Sequence, residues 1–347
     1  MLRCVDFHES LRDEWDRFAW ANGTVFHTLS IRGILLDSFG YECHYKAIVD
    51  ENNRIHAIIP LVAGRNLSLS KVGVSLPFLN YLDICADSQE SFQFAVGSLE
   101  ELCRKHSWGY VELRLKNQTV DRPNWRVNVN NHTFVLPLDG GEEAVLALST
   151  SSNRNHVRKV YKQDWFDVSF DSVHLKAFYR VYVQRMKQLG SPAPDIRFFE
   201  RFLFDLPDHA SLMTVLDKRT RKVVGGMLLL ASLGNGTLYY PYGATLVEYN
   251  QKYVNNYMYW EAVKHGMSRG LRFLDLGRSQ TGSGTYKYKL QWGARPEQLS
   301  YYTFGDGSGA AGGPDKQSLS LAVSLWKVAP TFITNIVGKK LIKYVMP

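Results

Sequence analysis

Two neighbouring stretches decide how this chain is interpreted: Phe273-Leu-Asp-Leu-Gly-Arg-Ser279 and Gly282-Ser-Gly-Thr-Tyr-Lys-Tyr-Lys-Leu-Gln-Trp-Gly293. The apolar residues of the first stretch predict a short buried strand. An acid, a glycine and a base lie at the end of that strand, namely Asp275, Gly277 and Arg278. Polar and charged groups at such a place cost desolvation energy unless they are paired or used. The strand end is therefore a candidate functional position.

The second stretch alternates aromatic or apolar residues with lysines over Tyr286–Leu290. A period of two predicts a second strand with Lys287 and Lys289 on one face, reached through a glycine-rich loop. The pattern has two interpretations. It is either a hairpin with solvated lysines or, because an acid and a base lie close in sequence, a pocket that handles an anion.

Length and composition limit the class of protein. A chain of 347 residues is too long for one ordinary core, which favours two domains. Its 45% hydrophobic and 21% charged residues are typical of a globular protein. The net charge of +8 and the pI of about 9.1 favour an anionic partner. A phosphate-bearing substrate, a nucleic acid and an acidic lipid surface all fit that description.

The four cysteines, Cys4, Cys43, Cys85 and Cys103, form no C-x-x-C pair, so the sequence predicts neither a zinc site nor a redox site. We expect no bound cofactor or metal. No signal-like segment opens the chain, and no apolar run is long enough to span a membrane. The expected location is the cytoplasm, with peripheral attachment to the inner face of the plasma membrane as a further option.

The order of predicted elements occurs twice along the chain. Each half reads as helices, a strand hairpin, a further extended segment, a helix and a strand, which predicts an α/β fold with mixed α+β sheets. The expected divisions are residues 1–138, residues 139–305 with the main site, and a tail at 306–347. Within the tail, Gly305–Pro314 is glycine-rich and predicts a linker. The remainder predicts amphipathic helices, which either pack on the body or lie on an acidic membrane surface.

Several motifs resemble FemAB-like proteins of the GCN5-related acyltransferase (GNAT) superfamily, in that family's order and spacing. The clearest are listed here: Ser151-Ser-Asn-Arg-Asn-His-Val-Arg-Lys-Val160, Leu238-Tyr-Tyr-Pro-Tyr-Gly-Ala244, Tyr259-Trp-Glu-Ala262, Phe273–Ser279 and Tyr288-Lys-Leu-Gln-Trp-Gly293. Phe26-His27, Ile59-Pro-Leu-Val62 and Ser75–Tyr81 match in the first half. The resemblance covers about residues 20–305 and is greatest to the branch encoded with bacterial exosortase and exopolysaccharide systems.

This resemblance implies two tandem GNAT-like subdomains followed by a C-terminal helical tail. It also implies transfer of an acyl or aminoacyl group to an amine of a peptidoglycan or exopolysaccharide precursor. The family's peptidoglycan ligases use aminoacyl-tRNA and carry a Phe-Lys pair, which is Tyr288-Lys289 here. The long helical arm of the glycine-adding ligases has no counterpart, so the acyl donor is either aminoacyl-tRNA or acyl-CoA.

Acyl transfer to an amine needs a group that accepts or orients the amine proton and a group that stabilises the developing oxyanion. We expect Asp275 in the first role, with a structural pairing to Arg278 as its alternative. Lys289 is the second catalytic candidate. Arg278, Ser279 and Tyr288 are expected to bind substrate beside it.

Five more residues are candidate substrate ligands. Arg154, Arg158 and Lys159 share roughly one face of a predicted helix, which suits a phosphate as well as it suits plain solvation. Tyr240 and Tyr242 flank Pro241 at a strand end, where they either line the acceptor pocket or belong to the core.

Ordinary acyl-CoA binding is disfavoured by the segment 245–254. GNAT enzymes hold the pyrophosphate with a glycine-containing loop that enters a helix, and this segment contains no glycine. Two other functions compete with acyl transfer. One is a non-catalytic protein that binds an anionic glycan or lipid carrier during polysaccharide export, and the other, with no recognisable motif, is a nucleic-acid binder.

Overall fold

The computed structural model describes residues 1–305 and 316–345. Its compact units are Met1–Asn130 with Gln298–Leu325 and Ile336–Pro347 (unit 1), and Asn131–Glu297 with Trp326–Asn335 (unit 2). The segments of 316–345 are thus divided between the two units and do not form a unit of their own. Apart from Gly305, the predicted linker lies outside the described residues.

Unit 1 holds two sheets and three helices from the first part of the chain. In chain order these elements are β1 (Arg3–Asp6), α1 (Arg12–Asn22), α2 (Leu29–Phe39), β2 (Glu42–Cys43), β3 (Lys46–Val49), β4 (Ile55–Ile59), β5 (Val62–Arg65), β6 (Lys71–Val74), β7 (Cys85–Ala86), α3 (Gln89–Lys105) and β8 (Tyr110–Leu115). One sheet has the order β1-β3-β4-β7 and is antiparallel. The other runs β8-β6-β5-β2, with β6 and β8 parallel, and β16 (Arg295–Gly305) pairs with β8.

Helix termini in unit 1 test two sequence signals. Gly40 ends α2 in the left-handed region, at φ 65°, where glycine is strongly favoured. A serine just before an apolar periodic segment predicts a helix cap at Ser10, but this prediction is wrong. Helix α1 begins at Arg12 after a 3-10 turn, and the Ser10 hydroxyl bonds to His8. Apolar residues of α3, such as Phe92 and Leu99, fill the core against the sheets.

Unit 2 holds the elements that carry the candidate site. In chain order these are β9 (Trp125–Pro137), which begins in unit 1, α4 (Gly141–Leu148), α5 (Ser151–Gln163), β10 (Phe166–Ser169), α6 (Leu175–Leu189), α7 (Ile196–Asp205), β11 (Ala210–Asp217), β12 (Val223–Ser232), β13 (Thr237–Thr245), a 3-10 helix (Val247–Lys252), α8 (Val254–Ser268), β14 (Phe273–Asp275), β15 (Ser279–Gln280) and α9 (Gly284–Leu290). The strand order is β10-β11-β12-β13-β14-β9, and β15 pairs with β9. Only the β13–β14 pairing in this set is parallel.

Two irregularities of β13 open the sheet. β13 pairs with β14 only from Thr237 to Tyr239, so the rest of β13 has no strand partner on that side among the described residues. On its other side the register slips, and Tyr240 and Pro241 together face Leu229 of β12. Such a bulge bends a strand and redirects its side chains, and proline is tolerated there because no ladder hydrogen bond is lost.

The predicted strand at Tyr286–Leu290 is wrong, because these residues belong to α9. The Ser283 hydroxyl accepts a hydrogen bond from the Tyr286 N–H and so caps the helix at its first turn. A helical turn places Lys287 and Lys289 on different faces. Lys287 is exposed and Lys289 is buried.

Two helices follow the undescribed segment, α10 (Lys316–Val328) and α11 (Thr331–Val345). They confirm the helices predicted in the tail. Within 1–305 and 316–345, no helix is both long enough and apolar enough to cross a membrane.

Candidate functional site

The opening between β13 and β14 borders a cavity of about 320 Å³ in unit 2. Four helical segments and one strand contribute to its wall, so the cavity lies where several elements of unit 2 meet. The lining residues are Arg185, Met186, Leu189, Tyr240, Gly243, Ala244, Thr245, Val247, Asn250, Asn255, Met258, Tyr259, Gly284, Thr285 and Tyr288. An apolar wall with a few convergent polar groups is typical of a small-molecule site.

Three tyrosines form one side of this cavity. The rings of Tyr240 and Tyr259 meet edge to face at 5.6 Å, and those of Tyr259 and Tyr288 do so at 5.4 Å. Burial raises the pKa of Tyr240 and of Tyr288 above the usual value for a phenol. Both hydroxyls therefore stay protonated at neutral pH and can donate hydrogen bonds. The buried Tyr288 hydroxyl makes no well-formed hydrogen bond within the described residues.

Three polar side chains joined by hydrogen bonds form another part of the wall. The Thr245 hydroxyl donates to Asn255 Oδ1 at 3.0 Å, and Asn255 Nδ2 donates to Asn250 Oδ1 at 3.4 Å. Arg185 is the one charged side chain among the described residues that line the cavity. This wall can orient a polar group of a ligand without imposing a strong charge.

The glycine-free segment before α8 takes a compact helical form. Val247–Lys252 makes a 3-10 helix, and Tyr253 follows in the left-handed region at φ 56°. Val247 and Asn250 from this segment face the cavity. The segment thus presents side chains to the cavity and has no glycine at which a backbone could approach a ligand closely.

The two residues predicted to be catalytic lie together but do not line the cavity. The buried Asp275 carboxylate accepts hydrogen bonds from the Thr133 hydroxyl at 2.6 Å and from the Gly277 N–H at 2.7 Å. Lys289 Nζ donates to the carbonyls of Gly277 and Arg278 at 2.8 and 3.0 Å. Together they hold the turn after β14 against α9.

Burial also shifts the titration of Lys289, which is 6% exposed. Desolvation lowers its pKa to about 8, the Asp275 carboxylate partly opposes that shift, and the Arg278 guanidinium adds to it. The Phe134 ring lies 5.4 Å from the ammonium group. Since α9 also carries Tyr288 and Thr285 into the cavity, the Lys289 contacts fix the position of one cavity wall.

We expect the stability of the protein to rise with pH through the Lys289 titration. Between pH 8 and about 10, the unfolded chain keeps a proton that native Lys289 progressively loses, so stability increases by up to about 1.4 kcal/mol per pH unit. From pH 8 to 9.5 this amounts to about 2 kcal/mol.

Urea unfolding of the native chain and of Lys289→Met at several pH values in that range measures this contribution. Buried thiols and phenols titrate in both proteins, so the difference between the two curves isolates Lys289. Parallel curves for the two proteins would contradict the assignment.

The basic residues of α5 either contact neighbouring residues or are exposed to solvent. Arg154 donates to the carbonyls of Ala147 and Ser149 at the end of α4, which is a structural role. Lys159 Nζ lies 5.2 Å from the ring of Tyr253, whereas Arg158 is exposed. None of the three lines the cavity, and their role in binding phosphate stays a prediction.

The remaining predicted ligands are divided between core and surface. Tyr242 packs edge to face on Phe198 and Phe199, with ring centroids 5.4 and 5.7 Å away, within an aromatic core. Arg278 is exposed, and the Ser279 hydroxyl is buried with no hydrogen-bond partner among the described residues. Only Tyr240 and Tyr288 of the predicted set meet in the cavity.

Sequence reasoning missed several residues of the cavity wall. Tyr259 stands in a quoted motif, but its place between Tyr240 and Tyr288 depends on how α8 packs. Thr245 is the first residue of the glycine-free segment and Asn255 follows its last residue, and that position was the available signal. Arg185 lies within an ordinary amphipathic helix, α6, and nothing in its sequence context marks it.

Comparison with known proteins agrees with this architecture. The family model described as Acetyltransferase (GNAT) domain matches residues 151–290, which include β13, α8 and α9. A search of curated proteins gives no significant match.

Similar solved structures support the tandem fold. The crystal structure of FemX aligns with a TM-score of 0.65 at 14% identity, over 86% of this chain and 96% of that one. The C-terminal domain of a putative lysylphosphatidylglycerol synthetase from Agrobacterium fabrum aligns at 0.59 and 11% identity, over 91% and 96%. A tandem GNAT protein from the clavulanic acid biosynthesis pathway aligns at 0.55 and 9% identity, over 87% and 98%.

At these identities the structural matches establish the fold, and the family match adds the type of domain. Residues 151–290 therefore form a GNAT acyltransferase domain, within a chain whose tandem fold is similar to that of FemX.

Proposed function

We propose that the protein transfers an acyl or aminoacyl group to an amine of a phosphate-linked cell-envelope precursor, either of peptidoglycan or of exopolysaccharide. The observation that carries this proposal is the cavity at the open edge of β13, with the hydroxyl-bearing rings of Tyr240 and Tyr288 in its wall. Protonated phenols beside the open edge of β13 can donate hydrogen bonds to the substrate carbonyl oxygen as it becomes negative during acyl transfer.

The reaction joins the acceptor nitrogen to the acyl carbon and breaks the bond from that carbon to oxygen in an aminoacyl ester, or to sulfur in a thioester. The amine loses a proton, and the leaving oxygen or sulfur gains one. We propose that the hydroxyls of Tyr240 and Tyr288 donate hydrogen bonds to the carbonyl oxygen and to the leaving group. Asp275 and Lys289 serve as positioning residues, because their contacts hold the turn after β14 and the helix α9.

Charge supports a phosphate-bearing acceptor. The chain carries a net charge of +8, which raises the local concentration of anionic substrates. The similarity in fold to the lysylphosphatidylglycerol synthetase domain supports an acceptor with a phospholipid-like group. We accordingly propose the inner face of the plasma membrane as the place where the protein meets this acceptor.

The donor is proposed to be aminoacyl-tRNA, with acyl-CoA as the alternative. The segment before α8 supports this order, because it contains no glycine and contributes the side chains of Val247 and Asn250 to the cavity wall, whereas a glycine-rich loop leaves its backbone open to a pyrophosphate. Native mass spectrometry of the purified protein, followed by assays with each donor class, distinguishes the two. Retention of a glycan or lipid phosphate without any product from either donor would favour the non-catalytic carrier-binding function.

Replacing the cavity phenols tests the assigned roles. We expect Tyr240→Phe and Tyr288→Phe each to lower kcat by about 100-fold, as loss of one oxyanion donor does, while the melting temperature stays unchanged. The matched control is Tyr239→Phe, which removes a hydroxyl from the same strand at a residue outside the cavity. Full turnover in both cavity variants would contradict the proposal.

A further inference from the structure

The solvent face of α11 is largely aliphatic and also exposes Lys340. Thr334, Gly338 and Ile342 recur every four residues and are buried, so they form the docked face. The opposite face exposes large aliphatic side chains at the spacing of one helical stripe. These are Ile333, Ile336, Val337 and Leu341. A helix that only packs on a body would expose polar residues there.

Helix α10 shows the same property more strongly. Leu321, Leu325 and Val328 follow at i, i+4 and i+7 and are 67, 68 and 79% exposed. No residue from Ser320 to Val328 is buried. Each of the two successive helices exposes an aliphatic stripe and so forgoes the free energy that burial of these side chains would supply. Exposed apolar surface of this kind indicates that another partner covers it.

The charge of this segment indicates what covers it. Residues 316–345 contain five lysines and neither aspartate nor glutamate. Two copies of such a segment would repel each other, whereas an anionic bilayer attracts it. Basic residues beside an aliphatic face are the signature of a helix that lies in the membrane interface.

A cationic cavity lies at the turn between the two helices. It has a volume of about 490 Å³, and Lys327, Thr331 and Asn335 face Arg180 and Lys187 of α6 across it. No carboxylate lines it among the described residues. Ammonium, guanidinium, hydroxyl and amide groups that converge without a carboxylate suit a phosphate oxygen.

We propose that α10 and α11 form a membrane-docking element for anionic phospholipid, with their aliphatic stripes in the interface and the cationic cavity on a lipid headgroup phosphate. This proposal rests on the exposure and charge of the segment and stands whether or not the transfer reaction is the one proposed above. In this proposal the element brings the protein to the membrane surface and takes no part in the acyl transfer.

Vesicle sedimentation of the full chain tests the element. We expect binding to vesicles of equal parts phosphatidylglycerol and phosphatidylcholine, and little binding to phosphatidylcholine alone. Leu325→Ser with Ile336→Ser should lower the partition coefficient by at least about tenfold, since two buried aliphatic side chains are lost. Lys327→Gln with Lys340→Gln should lower it by about fivefold per lysine at low salt, and that difference should shrink as salt is added.

The matched control is Val173→Ser with Phe204→Ser, which removes two exposed apolar side chains outside the element and should leave binding unchanged. Lys187→Gln should reduce the preference for phosphatidylglycerol if the cavity holds the headgroup. Equal binding by the native chain and the Leu325/Ile336 variant would overturn the proposal. So would a dimer, seen by sedimentation velocity without lipid, that this variant dissociates. A soluble acceptor assayed in parallel separates loss of docking from loss of catalysis.

Discussion

Gly243→Ala is expected to lower turnover by about 1000-fold or more, while leaving most of the stability intact. A Cβ at this position would lie 2.4 Å from Tyr240 Cε2 and 2.5 Å from its hydroxyl oxygen. Carbon atoms cannot approach so closely, so the ring has to leave its place over Gly243. The loss should exceed that of Tyr240→Phe, because both the hydroxyl and the shape of the cavity wall change.

The atoms in conflict belong to the end of a side chain, so the backbone need not move. Urea unfolding should therefore show a change near the lower end of the about 1–3 kcal/mol that overpacking costs. Gly33→Ala is the control, since a Cβ there meets nothing within 4 Å. In a Tyr240→Ala background Gly243→Ala should have almost no further effect on kcat. An additive effect in that double-mutant cycle would refute the steric explanation.

Local patterns predicted most of the individual elements. The strand at Phe273 follows from a short apolar run, and the helices of the C-terminal tail follow from amphipathic periodicity. Both signals act over a few residues. The long strand Trp125–Pro137 was missed, although Trp125, Val127 and Val129 alternate with polar residues in its first half, which is mostly exposed. Pairing with β14 and β15 holds its second half, and no single-sequence pattern contains that pairing.

The error at Tyr286–Leu290 has a similar cause. Alternation of aromatic residues and lysines fits a strand, yet the same residues fit a helix once Ser283 caps it. Five residues are too few for periodicity to decide between the two. The consequence for the site is large, because Tyr288 then faces the cavity and Lys289 faces the turn after β14.

Site residues were harder to predict than elements because roles depend on tertiary partners. Asp275 was predicted at the end of a buried strand and Lys289 as a lysine that meets an anion. Both side chains are buried, and their contacts tie a turn to a helix. Tyr240 and Tyr242 looked equivalent around Pro241. The bulge at Tyr240–Pro241 separates them, and Tyr240 lines the cavity whereas Tyr242 enters the aromatic core.

Gly293→Ala is expected to destabilise the protein by about 3 kcal/mol or more. Gly293 has φ 75°, which costs an alanine about 1–2 kcal/mol. A Cβ would also lie 2.3 Å from the Leu148 carbonyl oxygen at the end of α4. Overpacking of this kind adds about 1–3 kcal/mol, and here the conflicting atom is backbone, so relief requires the end of α4 to move.

Gly270→Ala separates the two costs, because its φ is 67° and a Cβ there meets nothing within 4 Å. It should cost only about 1–2 kcal/mol in urea unfolding. The excess in Gly293→Ala then measures the approach of Gly293 to α4. That approach also fixes the end of α9, since the Thr150 N–H donates to the Gln291 carbonyl at 2.9 Å. Turnover should consequently fall in Gly293→Ala but not in Gly270→Ala, and equal stabilities for the two variants would show that α4 yields without cost.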